Sequence, residues 1–219
     1  MSIAASIANN LKTGAVFKRA AVNNTSVSSV TSFAGVSAGA LTLLATQTAS
    51  SSAQLDFTSG IDSTYDSYIF HLNNMHLATD QAHVQFQADT GTNTNYNLTV
   101  TNTYFRANHN EDDSLATVSI DAARDQSQGT GFIQFMSAVT DENDSGSSGI
   151  IRIFGPSSTT SVKPFLGVCN CHHHNPGSDV SRNISIGGYF NTTTAITRFR
   201  FNSSSGNIDA GVIKLYGVS

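Results

Sequence analysis

The chain has 219 residues, 12% of them charged and 39% hydrophobic, with eleven Lys and Arg against fifteen Asp and Glu for a net charge of −4. That length suits one compact domain with an arm, and the charge share is about half the usual quarter, Ser, Thr and Asn supplying about a third of the chain. Such a balance excludes a basic surface for gripping a phosphate backbone, so no nucleic-acid partner is expected, and thirteen Phe with six Tyr exclude a disordered chain.

Residues 2–14 carry the one good helical pattern. Ile3, Ile7 and Leu11 fall at i, i+4 and i+8, Ser2 can cap the first turn and Gly14 can end the last. A helix so short is marginal in water without packing, so it either folds back on its own domain or docks in a partner's groove. The second reading makes Ile3, Ile7 and Leu11 anchoring residues. From Val16 to about Ser52 the text is rich in Ala, Ser, Thr, Val and Gly and predicts an extended arm with one or two short strands. The expected division is therefore an N-terminal helix and anchoring arm over 1–40 and a β body over 41–219.

From Leu41 onward period-2 alternation takes over. Tyr68-Ile-Phe70-His-Leu72, His83-Val-Gln-Phe-Gln-Ala88 and Tyr96-Asn-Leu98-Thr-Val100 each put their apolar side chains on one face, with Gln87 assigned outward. Further strands are expected at Leu115–Ile120, Phe132–Val139, Ile150–Phe154, Phe165–Cys171, Ile184–Phe190, Ile196–Phe201 and Gly211–Gly217. Turn-rich pieces such as Asp89-Thr-Gly91 and Asn175-Pro-Gly177 separate them. Many short strands without crossover helices predict an all-β fold, an antiparallel β-sandwich or jelly roll. In the last strand Ile213 and Leu215 should be buried and Lys214 should guard an exposed edge. Asp62-Ser-Thr-Tyr-Asp66 offers side-chain turns that would set up the Tyr68 strand.

No apolar run reaches the ~18–20 residues that span a bilayer, so membrane insertion is not expected. The start of the chain lacks the basic and apolar regions of an export signal. The two cysteines sit together as Cys169-Asn-Cys171, so no disulfide framework is expected, and a reducing cytoplasm is the expected place of synthesis.

Three local patterns bear on chemistry. Gly35-Val-Ser37-Ala-Gly39 matches the G-x-S-x-G nucleophile elbow but lacks the strand-to-helix context that exposes such a serine, so no catalytic role follows. Asp141-Glu-Asn143-Asp-Ser145-Gly146 fits the first half of a calcium loop, yet position 12 is the cation Arg152, and a polar loop is the simpler reading. Glu111-Asp112-Asp113 reads as a solvated loop. Cys169-Asn-Cys171-His-His-His174 is the richest stretch. On a strand, Cys169, Cys171 and His173 share one face, one ligand short of a closed tetrahedral zinc site, while His172 and His174 share the other. Around a threefold axis that His172/His174 pair would become six imidazoles able to hold an octahedral ion, a device resembling one in trimeric phage fibres. The plainer reading is two small core cysteines and an exposed, titratable turn.

An ordered set of segments resembles a family of small virion structural proteins of tailed, especially marine, bacteriophages. It runs from Leu55-Asp-Phe-Thr-Ser-Gly-Ile-Asp-Ser-Thr-Tyr65 and Tyr68-Ile-Phe70 through Ala78-Thr-Asp80, Asn95-Tyr-Asn97, Tyr104-Phe-Arg-Ala107, Ala123-Arg-Asp-Gln-Ser-Gln-Gly-Thr130 and Pro156-Ser-Ser-Thr-Thr160. It closes on Gly188-Tyr-Phe-Asn-Thr-Thr193, Ser204-Ser-Gly-Asn207 and Gly211-Val-Ile-Lys-Leu-Tyr-Gly217. The likeness covers about residues 45 to 219 and leaves out the N-terminal helix and the Cys/His run. It implies a non-enzymatic virion component assembled in the host cytoplasm, a capsid decoration or short fibre. Low charge and abundant short polar side chains suit close packing against copies of itself, and the expected partners are a homotrimer and other virion proteins. A tail-fibre adhesin recognising host glycans is the alternative, with Tyr104, Arg106 and His109 as candidate contacts. No cofactor is expected, apart from a metal ion at the Cys169–His174 run.

Overall fold

A computed structural model describes residues 41–142, 144–173 and 177–218, and every regular element in them is a strand. In chain order these are β1 (Leu41–Ser52), β2 (Gln54–Phe57), β3 (Ser67–Leu77), β4 (Ala82–Asp89), β5 (Val100–Asn110), β6 (Ala116–Ile120) and β7 (Gln126–Gly129). They continue as β8 (Ile133–Val139), β9 (Ser147–Phe154), β10 (Lys163–His173), β11 (Val180–Phe190), β12 (Arg198–Ser203) and β13 (Ile208–Val218). No helix of the described residues is long and apolar enough to cross a membrane. The expected helix at Ile3, Ile7 and Leu11, the arm up to residue 40 and the Ser37 elbow lie outside the described residues; the end of the expected arm, Leu41–Ser52, is instead the long strand β1, held in the large sheet by β13.

Alternation builds the layers. Along β10, Lys163, Phe165, Gly167, Cys169 and Cys171 point inward while Pro164, Leu166, Val168 and Asn170 point out. The strands form two antiparallel sheets. A large nine-stranded sheet runs β1-β13-β3-β9-β10-β11-β5-β6, with β7 also pairing β5, and a small four-stranded sheet runs β2-β12-β4-β8. Their inner faces meet in one core, so the body is a β-sandwich-like all-β fold. Its centre is aromatic. Phe70 of the large sheet lies 5.1 Å from both Phe199 and Phe201 of the small one, and Phe86 lies 5.6 Å from Phe165. Edge-on and tilted contacts of this kind add about 0.5–1.5 kcal/mol per pair beyond area burial.

Loop chemistry sets up the β3 strand. The Asp62 carboxylate accepts from the Thr64 N–H at 2.8 Å, and the buried Tyr68 hydroxyl donates to the Asp62 carbonyl at 2.9 Å.

Several local expectations need correction. β13 is no edge, because β1 pairs along it and β3 flanks its other side; Ile213 and Leu215 are buried as expected, but Lys214 guards nothing. Gln87 is buried, because a loop covers the outer face of the small sheet there. Its amide donates to the carbonyls of Leu98 at 3.1 Å and Gly131 at 2.9 Å. Residues 96–99 form no strand. Tyr96 has a φ of 47°, and its buried ring caps the Arg200 guanidinium at 4.1 Å. Tyr104–His109, the stretch that carries the candidate glycan contacts, lies in β5, between β11 and β6.

Candidate functional site

The chemistry gathers where β5, β10 and β11 end together. Strand alternation carries Cys169, Cys171 and His173 toward the small sheet and His172 outward, as the spacing predicts. The two thiols are buried and free, their sulfurs 4.0 Å apart, and Cys169 Sγ contacts the Phe135 carbonyl at 3.4 Å. Burial pushes the Cys169 thiol up in pKa, and the neighbouring Cys171 sulfur adds to the shift. The His173 ring is held by the backbone. Its Nδ1 lies 3.1 Å from the Ala138 carbonyl, an acceptor, so that nitrogen carries the proton.

The outward side is different. Beyond β5 the chain turns at Glu111, whose N–H donates to the Asp179 carbonyl at 2.8 Å, and the Asp112 N–H donates to Ser178 Oγ at 3.2 Å. These bonds staple the β5–β6 turn to the segment that enters β11. His172 Nε2 faces Asp179 Oδ2 at 3.4 Å, and its Nδ1 meets the buried Ser145 hydroxyl at 2.7 Å. One ligand atom each from Glu111, His172 and Asp179 lies within 4.8 Å of the others. Sequence reasoning singled out His172 but read Glu111 as solvated loop and passed over Asp179, because their meeting depends on strand pairing. His174 and Asn143 lie outside the described residues.

The candidate glycan contacts do not form one surface. Tyr104 is fully buried, the reverse of what a sugar platform needs, and burial raises the pKa of its phenol well above the ordinary value. β5 points Tyr104 inward, and the Arg124 guanidinium lies 5.8 Å from its ring. Arg106 is tied to Asp121 at 3.2 Å, and Asp121 also pairs Arg124 at 2.9 Å. His109 is exposed beside Asp113 at 3.2 Å.

A further surface feature is the outer face of the large sheet. Strand register aligns Ile150, Val168, Ser185, Phe105 and Ile120 in a row across β9, β10, β11, β5 and β6. Beside that row Leu166 is 58% exposed and Val118 81%. A shallow apolar depression of about 230 Å³ opens among Ile150, Arg152, Phe154, Leu166, Gly167 and Val168. Comparison of the chain with protein-family models, with curated proteins and with solved structures returned no match.

Proposed function

We propose that the chain is a virion structural protein of a tailed bacteriophage: a jelly-roll capsid decoration or short-fibre module that works by packing, not by turnover. On this reading residues 1–40 attach it to the particle and copies of the body associate as a trimer. The observation that carries the reading is the apolar row on the outer face of the large sheet. Ser185 alone interrupts the row, and exposed apolar side chains gathered on one sheet face mark interaction sites. Here the row reaches β6, a short strand whose Ile120 is 63% exposed and whose outer side pairs with no strand among the described residues. A face built of fixed strands, with short side chains and few charges, suits repeated close packing.

The jelly-roll assignment is supported by strand order. Setting aside β5–β7 and β10–β11, the remaining strands run β1-β13-β3-β9 in one layer and β2-β12-β4-β8 in the other. Renumbered along the chain, that is 1-8-3-6 facing 2-7-4-5, the order produced by two interlocked Greek keys. The additional strands widen one layer and create the apolar outer face. The glycan-adhesin alternative has less support, since Tyr104, its intended stacking platform, is in the core.

Light scattering on the full chain tests the assembly reading. A trimer is expected, and Leu166→Asp with Val168→Asp should return it to monomer with little loss of thermal stability, since both side chains are exposed. A wild-type monomer at every concentration would remove the packing role. Immunogold labelling of purified particles tests the virion assignment separately, and a protein absent from them would overturn it.

A further inference from the structure

We propose that Glu111, His172 and Asp179 form a binding site for one divalent first-row metal ion, Zn²⁺ foremost, independently of any role in a virion. The three side chains come from the turn after β5, the end of β10 and the segment entering β11, and their ligand atoms lie within 4.8 Å of one another. Zinc holds imidazole nitrogen and carboxylate oxygen at about 2.0–2.2 Å, so donors around one ion sit roughly 3–4 Å apart. Modest rotation of the exposed Glu111 side chain closes the difference.

The ring of His172 is built to point at this spot. Ser145 is only 5% exposed, and its hydroxyl holds Nδ1 at 2.7 Å, leaving Nε2 aimed at the carboxylates. A hydroxyl can donate or accept, so it orients the ring whether or not Nε2 carries a proton. It thereby serves as the outer partner that metal-bound histidines almost always have. The backbone bond from Glu111 to Asp179 holds the two main chains side by side, so both carboxylates reach out from one place.

An ordinary ion pair explains the arrangement less well. The 3.4 Å from His172 Nε2 to Asp179 Oδ2 is long for a charge-assisted hydrogen bond, which is typically about 2.7–2.9 Å. Two carboxylates gathered beside one imidazole favour a cation between them. One imidazole and two carboxylates make a borderline N/O donor set. It favours zinc over the all-oxygen preference of calcium or magnesium, with water completing the coordination.

The test is calorimetric titration of Zn²⁺ into the full chain carrying no affinity tag, with Co²⁺ absorption as a second readout. One ion per chain is expected. His172→Ala should abolish binding, and Glu111→Gln and Ser145→Ala should each weaken it about tenfold or more, while His71→Ala on β3 should leave it unchanged. Glu111 is exposed, so Glu111→Gln remains informative if His172→Ala fails to fold; thermal melts of the metal-free proteins check this. No Zn²⁺ binding, or equal affinity in wild type and the well-folded ligand variants, would overturn the assignment.

Discussion

His83 Nδ1 accepts a hydrogen bond from the Ala138 N–H at 2.9 Å, reaching from β4 to β8 at a point where Ala138 has a φ of 53°. The pairing of β4 with β8 shifts register there, and the Ala138 carbonyl is held from the other side by His173 at 3.1 Å. Two imidazoles thus satisfy both backbone polar groups of one irregular residue. The first bond requires an unprotonated Nδ1.

Acid should therefore loosen this contact. Burial first, then the Arg124 and Arg182 guanidinium groups, hold the His83 pKa down to about 4 against an ordinary 6.5, with Asp121 opposing. The unfolded chain binds a proton between those values and the folded chain does not, so stability falls as pH drops through that window. The slope approaches about 1.4 kcal/mol per pH unit for one proton. Chemical denaturation between pH 7 and 4 should detect it, and His83→Asn, which keeps an acceptor in the Nδ1 position, should flatten the profile. An unchanged slope in that variant would assign the acid sensitivity elsewhere.

Arg200 ties the small sheet together across its outer face. Its guanidinium takes both Asp56 oxygens, at 2.7 and 2.8 Å, while stacking 4.1 Å from the Tyr96 ring centre. Lysine keeps the charge but loses the fork and the flat stacking surface. Both side chains are partly solvated, which limits the effect. Arg200→Lys should cost about 1 kcal/mol and Arg200→Ala about 2 kcal/mol in urea unfolding.

Gly149 and Gly131 should differ sharply on mutation to alanine. A Cβ on Gly149 would lie 2.4 Å from Cys169 Cβ, 2.7 Å from the Val168 carbonyl oxygen and 2.9 Å from Cys169 Cα, so β9 and β10 would have to separate. A Cβ on Gly131 meets nothing within 4 Å. Gly149→Ala should lose about 3 kcal/mol or fail to fold, while Gly131→Ala should stay within about 0.5 kcal/mol of wild type. Parallel thermal melts decide the matter.

The thiols of Cys169 and Cys171 should resist an aromatic disulfide reagent in the native protein. Both are buried, and the raised pKa of Cys169 keeps its thiolate scarce at neutral pH. Labelling should follow unfolding and speed up with denaturant. Fast labelling in buffer would mean that this end of the sandwich opens locally.

Strands whose inward residues are apolar were legible from the chain alone. β10 and β11 alternate cleanly, and their existence and facing follow from that pattern. β5 was not legible because its inward register is polar: Asn102, Tyr104, Arg106, Asn108 and Asn110 point one way, and Phe105 the other. Asn102 and Asn108 find partners in β7 and in β11. The Asn102 side chain accepts from the Gln126 N–H at 3.1 Å, and Asn108 accepts from Arg182 Nε at 2.9 Å. Lys163 shows the same effect, fully buried with Nζ donating to the carbonyls of Ser161 at 2.7 Å and Thr192 at 3.0 Å.

Side-chain period is a local property, so the chain by itself determined an all-β body from Leu41 onward and the inward or outward facing of most strands. Which strands become neighbours is a choice among distant partners, made by the whole core at once. That choice brought Glu111 and Asp179 to His172, withdrew Tyr104 from solvent, and aligned Ile150, Val168, Phe105 and Ile120 into one outer row. No window of adjacent residues contains that information.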